Sequence, residues 1–252
     1  MTGLIDGDII VYRALWATTE KHQGSSLLYD VHSDSLVPSL TGRTTLNPYD
    51  YVDAFIAGLR DVVQYDSEVL CFSDNKENFR KTLYDKYKSG RRVLTDKQRT
   101  TREAIREYLM KHYSYTLFKR LEADDVIGIL STKDTICLSL DKDLDQVPGE
   151  HYNWNHQVSY EVSETEAWQW FLIQTLAGDR VDGYTGIRGV GTVKARKYLE
   201  EHGWTWESVE NLYVSKGLFI EDALLTARLA KILRHNEWNK DGKVKLWRGE
   251  WI

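Results

Sequence analysis

Carboxylates recur along this chain wherever a short apolar run stops. Asp6 and Asp8 follow Leu4-Ile5, Asp74 follows the run at residues 68–73, and Asp141, Asp143 and Asp145 follow the run at residues 135–140. Glu122, Asp124 and Asp125 open one helical pattern, and Asp179 and Asp182 follow another. In an open α/β sheet the strand ends converge, and ligands sit in the crevice outside them. Carboxylates gathered there repel one another, and hard multivalent cations are what neutralises them. The pattern therefore points to an α/β sheet whose crevice suits divalent ions and phosphates.

The 252 residues include only three prolines and no repeated or low-complexity stretch, so one compact unit is expected rather than domains on a flexible linker. The first strand pattern begins too early for a signal peptide, and no apolar run reaches membrane length, which predicts a soluble intracellular protein with no membrane partner. Cys71 and Cys137 lie inside apolar runs and read as reduced core residues. His151 and His156 form a weak pair assigned to the surface.

The total charge of −5 conceals a segregation: residues 76–106 carry eleven basic and four acidic side chains, a local +7 that leaves −12 for the remainder. A second basic stretch, Arg188, Lys194, Arg196 and Lys197, contains no acid. An acidic pocket between two basic surfaces suits a polyanion that must also meet metal ions.

Hydrophobic periodicity places a first strand from residue 3 to about 11, ending near Asp6-Gly7-Asp8 or continuing past it. Residues 18–48 read as loop with a hairpin, and Asn47-Pro48 starts a helix to about Arg60. Further strands are expected at 68–73, 113–118 and 135–140, a long helix at 95–112, a helix at 122–131, and a hairpin at 151–154 with 158–162. From Ser163, which forms a capping box with Glu166, the pattern is mostly helical. The boundary implied is an α/β core over 1–162 and a helical part over 163–252.

Two motifs sharpen the chemistry. Three carboxylates within Glu122-Ala123-Asp124-Asp125 repel one another at a helix start, where a cation is the usual reason to tolerate them. Gly186-Ile187-Arg188-Gly189-Val190-Gly191 does not follow a strand, so it fits neither a dinucleotide fingerprint nor a phosphate loop. It resembles a helix-hairpin-helix turn, where glycines let backbone amides approach a DNA phosphate at a helix N-terminus.

Asp6 after a first strand, Asp74 after a second, Tyr87-Lys88-Ser89-Gly90-Arg91-Arg92, Glu122-Ala123-Asp124-Asp125, Asp141-Lys142-Asp143, and Gly178-Asp179-Arg180-Val181-Asp182 before the glycine turn come in one order. That order resembles the flap endonuclease-like 5′ nucleases, which include the 5′-nuclease domain of bacterial DNA polymerase I and phage 5′-to-3′ exonucleases. The similarity runs to about residue 200. The tail, with Ala230-Lys231-Ile232-Leu233-Arg234-His235-Asn236-Glu237 and Lys245-Leu246-Trp247-Arg248, is most similar to the exonuclease of short-tailed lytic bacteriophages. Where the family commonly has asparagine after the last acid, this chain has Gly183, and its glycine turn is spaced differently from the cellular enzymes.

The resemblance implies a PIN-like 5′-nuclease core with a central, mostly parallel sheet flanked by helices. It adds a basic helical arch at about 76–110 and a helix-hairpin-helix (helix-three-turn-helix) element at about 178–200. It also implies two magnesium ions, for which manganese substitutes, placed ~3.5 to 4 Å apart in the general two-metal scheme. Asp6, Asp74, Glu122, Asp124 and Asp141 or Asp143 would lie closest to the ions; Asp125, Asp179 and Asp182 would hold the second ion directly or through water. Asp8 and Asp145 fall outside this set. Lys88 and Arg91, with Arg92 as the alternative to Arg91, would stabilise charge on the scissile phosphate.

Tyr87 would stack on an unpaired terminal base or simply pack. Lys97, Arg99, Arg102 and Arg106 would line the arch or form a solvated helix face. Gly189, Gly191, Lys194 and Lys197 would meet the DNA backbone, with a potassium ion on the turn carbonyls. The late tryptophans, Trp204, Trp206, Trp238, Trp247 and Trp251, read as packing residues.

The implied activity is that of a monomeric 5′-to-3′ exonuclease and flap endonuclease on double-stranded or branched DNA with a 5′ end, or on an RNA–DNA hybrid. It would serve phage DNA replication, primer removal or host DNA degradation in the cytoplasm of a bacterial host. Two rivals remain at this stage: an aspartyl-phosphate-type phosphatase using Asp6 as nucleophile, and a non-catalytic protein that binds branched DNA.

Overall fold

The computed structural model describes residues 1–17 and 47–249. The stretch 18–46, expected as loop with a hairpin, and Trp251 lie outside the described residues. Strand β1 (Thr2–Asp6) runs directly into helix α1 (Gly7–Ala17). Of the two expected endings of the first strand, the one at Asp6-Gly7-Asp8 holds, and a strand continuing to residue 11 is corrected. Asp6 Oδ1 accepts the Ile9 amide at 3.0 Å, capping the helix. Ile10, Val11, Ala14 and Leu15 then bury at helical spacing. Ile9-Ile10-Val11 is a β-branched run that mimics a strand, and burial on a helical face overrides it.

The chain continues through α2 (Pro48–Val63), β2 (Ser67–Phe72), α3 (Phe79–Leu83), α4 (Asp96–His112), β3 (Tyr115–Leu117), α5 (Ala123–Leu130) and β4 (Thr135–Leu138). A 3-10 turn (Lys142–Gln146), the hairpin β5 (Gly149–Asn153) and β6 (Val158–Val162), and helix α6 (Glu164–Ala177) follow. A two-stranded hairpin, β7 (Gly178–Asp179) and β8 (Tyr184–Thr185), precedes α7 (Thr192–His202), α8 (Trp206–Ser215) and α9 (Ile220–Ala230). The sheet order is β3-β2-β1-β4-β5-β6. All pairings are parallel except β5 with β6. The chain leaves β1 for β2 and β3 on one side, then crosses to β4 and β5 on the other, so strand order reverses at β1 and opens a crevice at its carboxyl end.

Period-two alternation splits the sheet faces. Ile5, Leu70, Phe72, Ile136 and Leu138 pack under α1, α2 and α4. Leu4, Cys71 and Cys137 face α5 and the returning tail residues Ile232 and Leu233. Both cysteines are buried and unpaired, as expected. A separate apolar cluster joins α6 to α9 and includes Trp247, with Trp204 and Trp206 packed against it. His151, assigned to the surface from sequence, is buried instead: its Nε2 lies 2.7 Å from the Val147 carbonyl and its ring stacks on Tyr160. Among the described residues no helix is long and apolar enough to cross a membrane.

The tail presses close to α5. A Cβ at Gly128 would stand 2.3 Å from the Leu233 carbonyl oxygen and 2.9 Å from Ile232 Cγ2. Gly128→Val is expected to cost roughly 1–3 kcal/mol through overpacking, read as a lower Tm in thermal melts. An unchanged Tm would mean that the tail is free to move away.

Candidate active site

The reversal at β1 gathers the acids. A cleft of about 410 Å³ is lined by Asp6, Asp8, Asp74, Glu122, Asp124 and Asp141, with Lys76, Lys81, Lys88, Arg91, Arg102 and Arg106 among its other lining residues. Each acid is delivered by an element end: Asp6 closes β1, Asp74 lies beyond β2, Glu122 caps α5, Asp124 sits in the first turn of α5, and Asp141 caps the 3-10 turn after β4. Three of them crowd. Burial first, then the charges of Asp8 and Asp141, pushes the Asp6 carboxyl up to about 8. Burial together with Asp6 and Asp141 raises Asp124 well above the usual range.

The other acids are held by donors. Asp74 accepts the Lys76 amide at 2.9 Å and the Arg120 amide at 2.8 Å. Burial opposes its charge, but these amides hold it below the usual carboxylate range. Glu122 meets the Lys88 amine, the Tyr87 hydroxyl at 2.8 Å and the Arg80 guanidinium at 3.2 Å. Burial works against ionisation there too, yet Lys88 and Arg80 prevail and bring Glu122 down to about 2.

Behind Lys88 lies a second group of acids. Asp182 accepts from Arg91 at 2.7 Å and from the Tyr87 hydroxyl at 3.0 Å, with Lys88 Nζ at 3.4 Å. Asp179 accepts the amides of Val181 and Asp182 at 2.6 and 3.1 Å. Asp143 is pushed up to about 7 by burial and then by Asp141 and Asp179, and its buried Oδ1 has no hydrogen-bond partner. Lys88, in the left-handed region at φ 57°, bridges the two groups. Burial disfavours its charge, but Glu122 and Asp182 outweigh that and raise its pKa.

Several expectations change. Asp125 is not in the cleft: it is fully buried, and both its oxygens take Arg80 donors at 2.6 and 2.8 Å while also accepting the amides of Glu122 and Leu233. Tyr87 is buried and stacked on Tyr184, its hydroxyl spent on Glu122 and Asp182, so no face is open to a base. Arg92 lies over the Trp16 ring at 5.4 Å and does not line the cleft, whereas Arg91 does.

Of the long-helix cations, Arg102 and Arg106 line the cleft. Arg106 donates to the Ser73 carbonyl at 2.7 Å and sits 3.7 Å from Asp8. Lys97 and Arg99 are exposed, with Arg99 paired to Asp96. The glycine turn precedes α7: Gly189 has φ 81°, Gly191 is the N-cap without a side-chain bond, and nothing lies within 4 Å of a Cβ at either. Lys194 donates to the Gly189 carbonyl at 2.9 Å, and Lys197 sits 3.9 Å from Glu201.

Arg80 escaped the reading from sequence. It is buried, ties Asp125 to Glu122, and donates to the carbonyls of Leu229 at 2.9 Å and Lys231 at 2.6 Å. In the basic run it looked like its neighbours; partners some 150 positions away leave no local signal.

The family model described as "5′-3′ exonuclease, N-terminal resolvase-like domain" matches residues 1–170. The exonuclease of Escherichia phage T7 is 26% identical over 223 residues, covering 71% of this chain and 73% of its own. The thermostable DNA polymerase I of Thermus aquaticus is 29% identical over 234 residues, covering 84% of this chain and 27% of that larger protein. The flap endonuclease of bacteriophage T5, solved as a pseudo-enzyme–product complex with DNA and metal ions, superposes with a TM-score of 0.61 at 16% identity over 91% of this chain and 92% of its own.

Proposed function

The chain belongs to the 5′-3′ exonuclease family of flap endonuclease-like nucleases, and from that premise we propose that it hydrolyses DNA phosphodiesters from a 5′ end with divalent magnesium. The observation that carries this reading is the cleft itself: a base of mutually repelling carboxylates at the carboxyl ends of β1, β2 and β4, under a rim of cations. Hard oxygen donors of this kind fit magnesium, with manganese as a substitute. Asp6, Asp124 and Asp141 would hold one ion with Glu122 and Asp74 beside them, and Asp143, Asp179 and Asp182 the second. The unpartnered Asp143 Oδ1 and the raised Asp6 and Asp124 fit a cation rather than a proton as the counter-charge. Among the described residues no three such side chains already stand in ligating arrangement. Lys88, Arg80, Tyr87 and backbone amides take up several of the oxygens.

Bound there, magnesium supplies Lewis-acid polarisation of the phosphate and a more acidic water. Lys88 and Arg91 hold positive charge at the cleft lip, where the scissile phosphate gains negative charge as water adds. Arg102 and Arg106 bind and orient the strand by its backbone, and the Gly189–Gly191 turn presents α7 amides to a neighbouring phosphate without reading sequence. The glycine turn and the basic rim have no use in an aspartyl-phosphate phosphatase, and the acids gathered in the cleft argue against a merely DNA-binding protein. We further assign the α/β core to residues 1–162 and the DNA-binding helical part to 163–252. The test is digestion of blunt, nicked, flapped and RNA-primed duplexes labelled at either end. Release must start at the 5′ end, need magnesium and stop with EDTA; hydrolysis of small phosphate esters alone would defeat the assignment.

The same acids set a pH dependence. Asp6 has an ordinary carboxyl near 3.8 when unfolded and one at about 8 when folded. Its protonation therefore favours the fold fully below 3.8, and that contribution is lost as pH rises through 8. Each such group costs at most about 1.4 kcal/mol per pH unit in this window. In EDTA, Tm is expected to fall between pH 5 and 8, with magnesium recovering more of it at the higher pH. A Tm in EDTA that stays flat or rises across this range would refute the placement of the acids.

A further inference from the structure

The tail carries a basic hairpin that the reading above leaves unused. Trp238 bridges to Val244, and the intervening loop is closed by Asn239, which accepts the amides of Asp241 and Lys243. The hairpin is tied to the loop after β3: Trp238 Nε1 donates to the Lys119 carbonyl at 3.1 Å, its ring stacks on Phe118 at 4.3 Å, and Arg120 reaches the Gly242 carbonyl at 3.4 Å. Lys119, Lys240, Lys243 and Lys245 are exposed, and among the described residues none has a carboxylate at ion-pair distance. This surface adjoins the cleft: the Arg120 amide caps Asp74, and its guanidinium lies 3.9 Å from Glu77, which lines the cleft beside Lys81. The glycine turn is joined to the cleft through Asp182 and Lys88, so the hairpin meets it at a different place, the Asp74 end.

We infer that Lys119, Arg120 and the Lys240–Lys245 hairpin form a second binding track for the phosphate backbone of duplex DNA, continuous with the cleft at Asp74. Exposed lysines without a carboxylate partner on a braced hairpin suit a regular polyanion, and contacts of lysine to phosphate carry no sequence information. The inference rests on the nuclease reading, because the cleft supplies the end that the track would align.

The test is fluorescence anisotropy of the full chain in EDTA over a salt series, with a long blunt duplex and a short one that fills only the cleft. Lys240→Ala/Lys243→Ala/Lys245→Ala should lower the slope of log affinity against log salt by roughly 2 to 3 on the long duplex, at about 0.9 per phosphate contact, and affinity near 0.1 M salt on the order of a hundredfold. The short duplex should be affected little. An unchanged slope, with circular dichroism showing an intact fold, overturns the track, as does an equal loss on the short duplex. Lys194→Ala/Lys197→Ala runs in parallel: weakened binding in that variant alone removes the track and leaves the nuclease reading standing. A parent chain that binds no duplex removes both.

Discussion

An Asp141→Ala variant is expected to release 5′ nucleotides at least a thousandfold more slowly than the parent, about 4 kcal/mol of barrier, while still binding DNA. Asp141 ends the β4 run, lines the cleft, and is one of the charges that push Asp6 and Asp124 up. Removing it takes away one of the carboxylates proposed to hold the divalent ions and at the same time relieves repulsion. Inactivity and stability should therefore move apart: in EDTA the variant should melt no more than slightly below the parent. The cap that Asp141 makes to the Asp143 amide at 2.9 Å is worth only about 1 kcal/mol. Asp141→Asn keeps that acceptor and removes the charge, so it should be as inactive and better folded. Release within tenfold of the parent in both variants would eliminate the proposed arrangement.

The largest stability effect is expected from Arg80→Met. Arg80 is 3% exposed and Asp125 is 0% exposed, and they are joined by two hydrogen bonds. Breaking a buried pair from one side leaves an uncompensated charge, which costs about 3–5 kcal/mol. In a chain of this size that is a Tm drop of roughly 10 °C. It also frees the carbonyls of Leu229 and Lys231 and one contact to Glu122. The double variant Arg80→Met/Asp125→Leu should regain only part of the loss: no bare charge remains, but the amides of Glu122 and Leu233 and the carbonyls of Leu229 and Lys231 lose these partners. Equal melting of the single variant and the parent would show that the pair contributes no net stability.

Much of this architecture was legible because it is local. The acids at strand ends, the Asn47 and Thr95 helix starts, the Ser163–Glu166 capping box and the β5–β6 hairpin rest on neighbouring residues, and the structure has them where the pattern predicts. The failures share another physical origin. Asp125 looks like Asp124 in sequence; one position around the helix turns it from the cleft to the core, where Arg80 and the Leu233 amide wait. Tyr87 sits between cleft-lining Lys88 and a partner, Tyr184, almost a hundred positions on, so its burial is invisible locally. The end of β1 stayed open between two positions because a β-branched run suits either period until packing decides.

The tail that grips α5 also bears on how the molecule comes into being. Asp125 is neutralised by an arginine from the first third of the chain but takes the Leu233 amide from near its end, and Gln146 likewise bonds the Ile232 amide and the Ala230 carbonyl. The cleft acids thus all precede, in chain order, the strap that completes the hydrogen bonds of Asp125 and Gln146 behind them. The last hydrogen bonds under α5 close only when residues 230–233 are present, so a chain cut before them would lack the partners of Asp125 and Gln146.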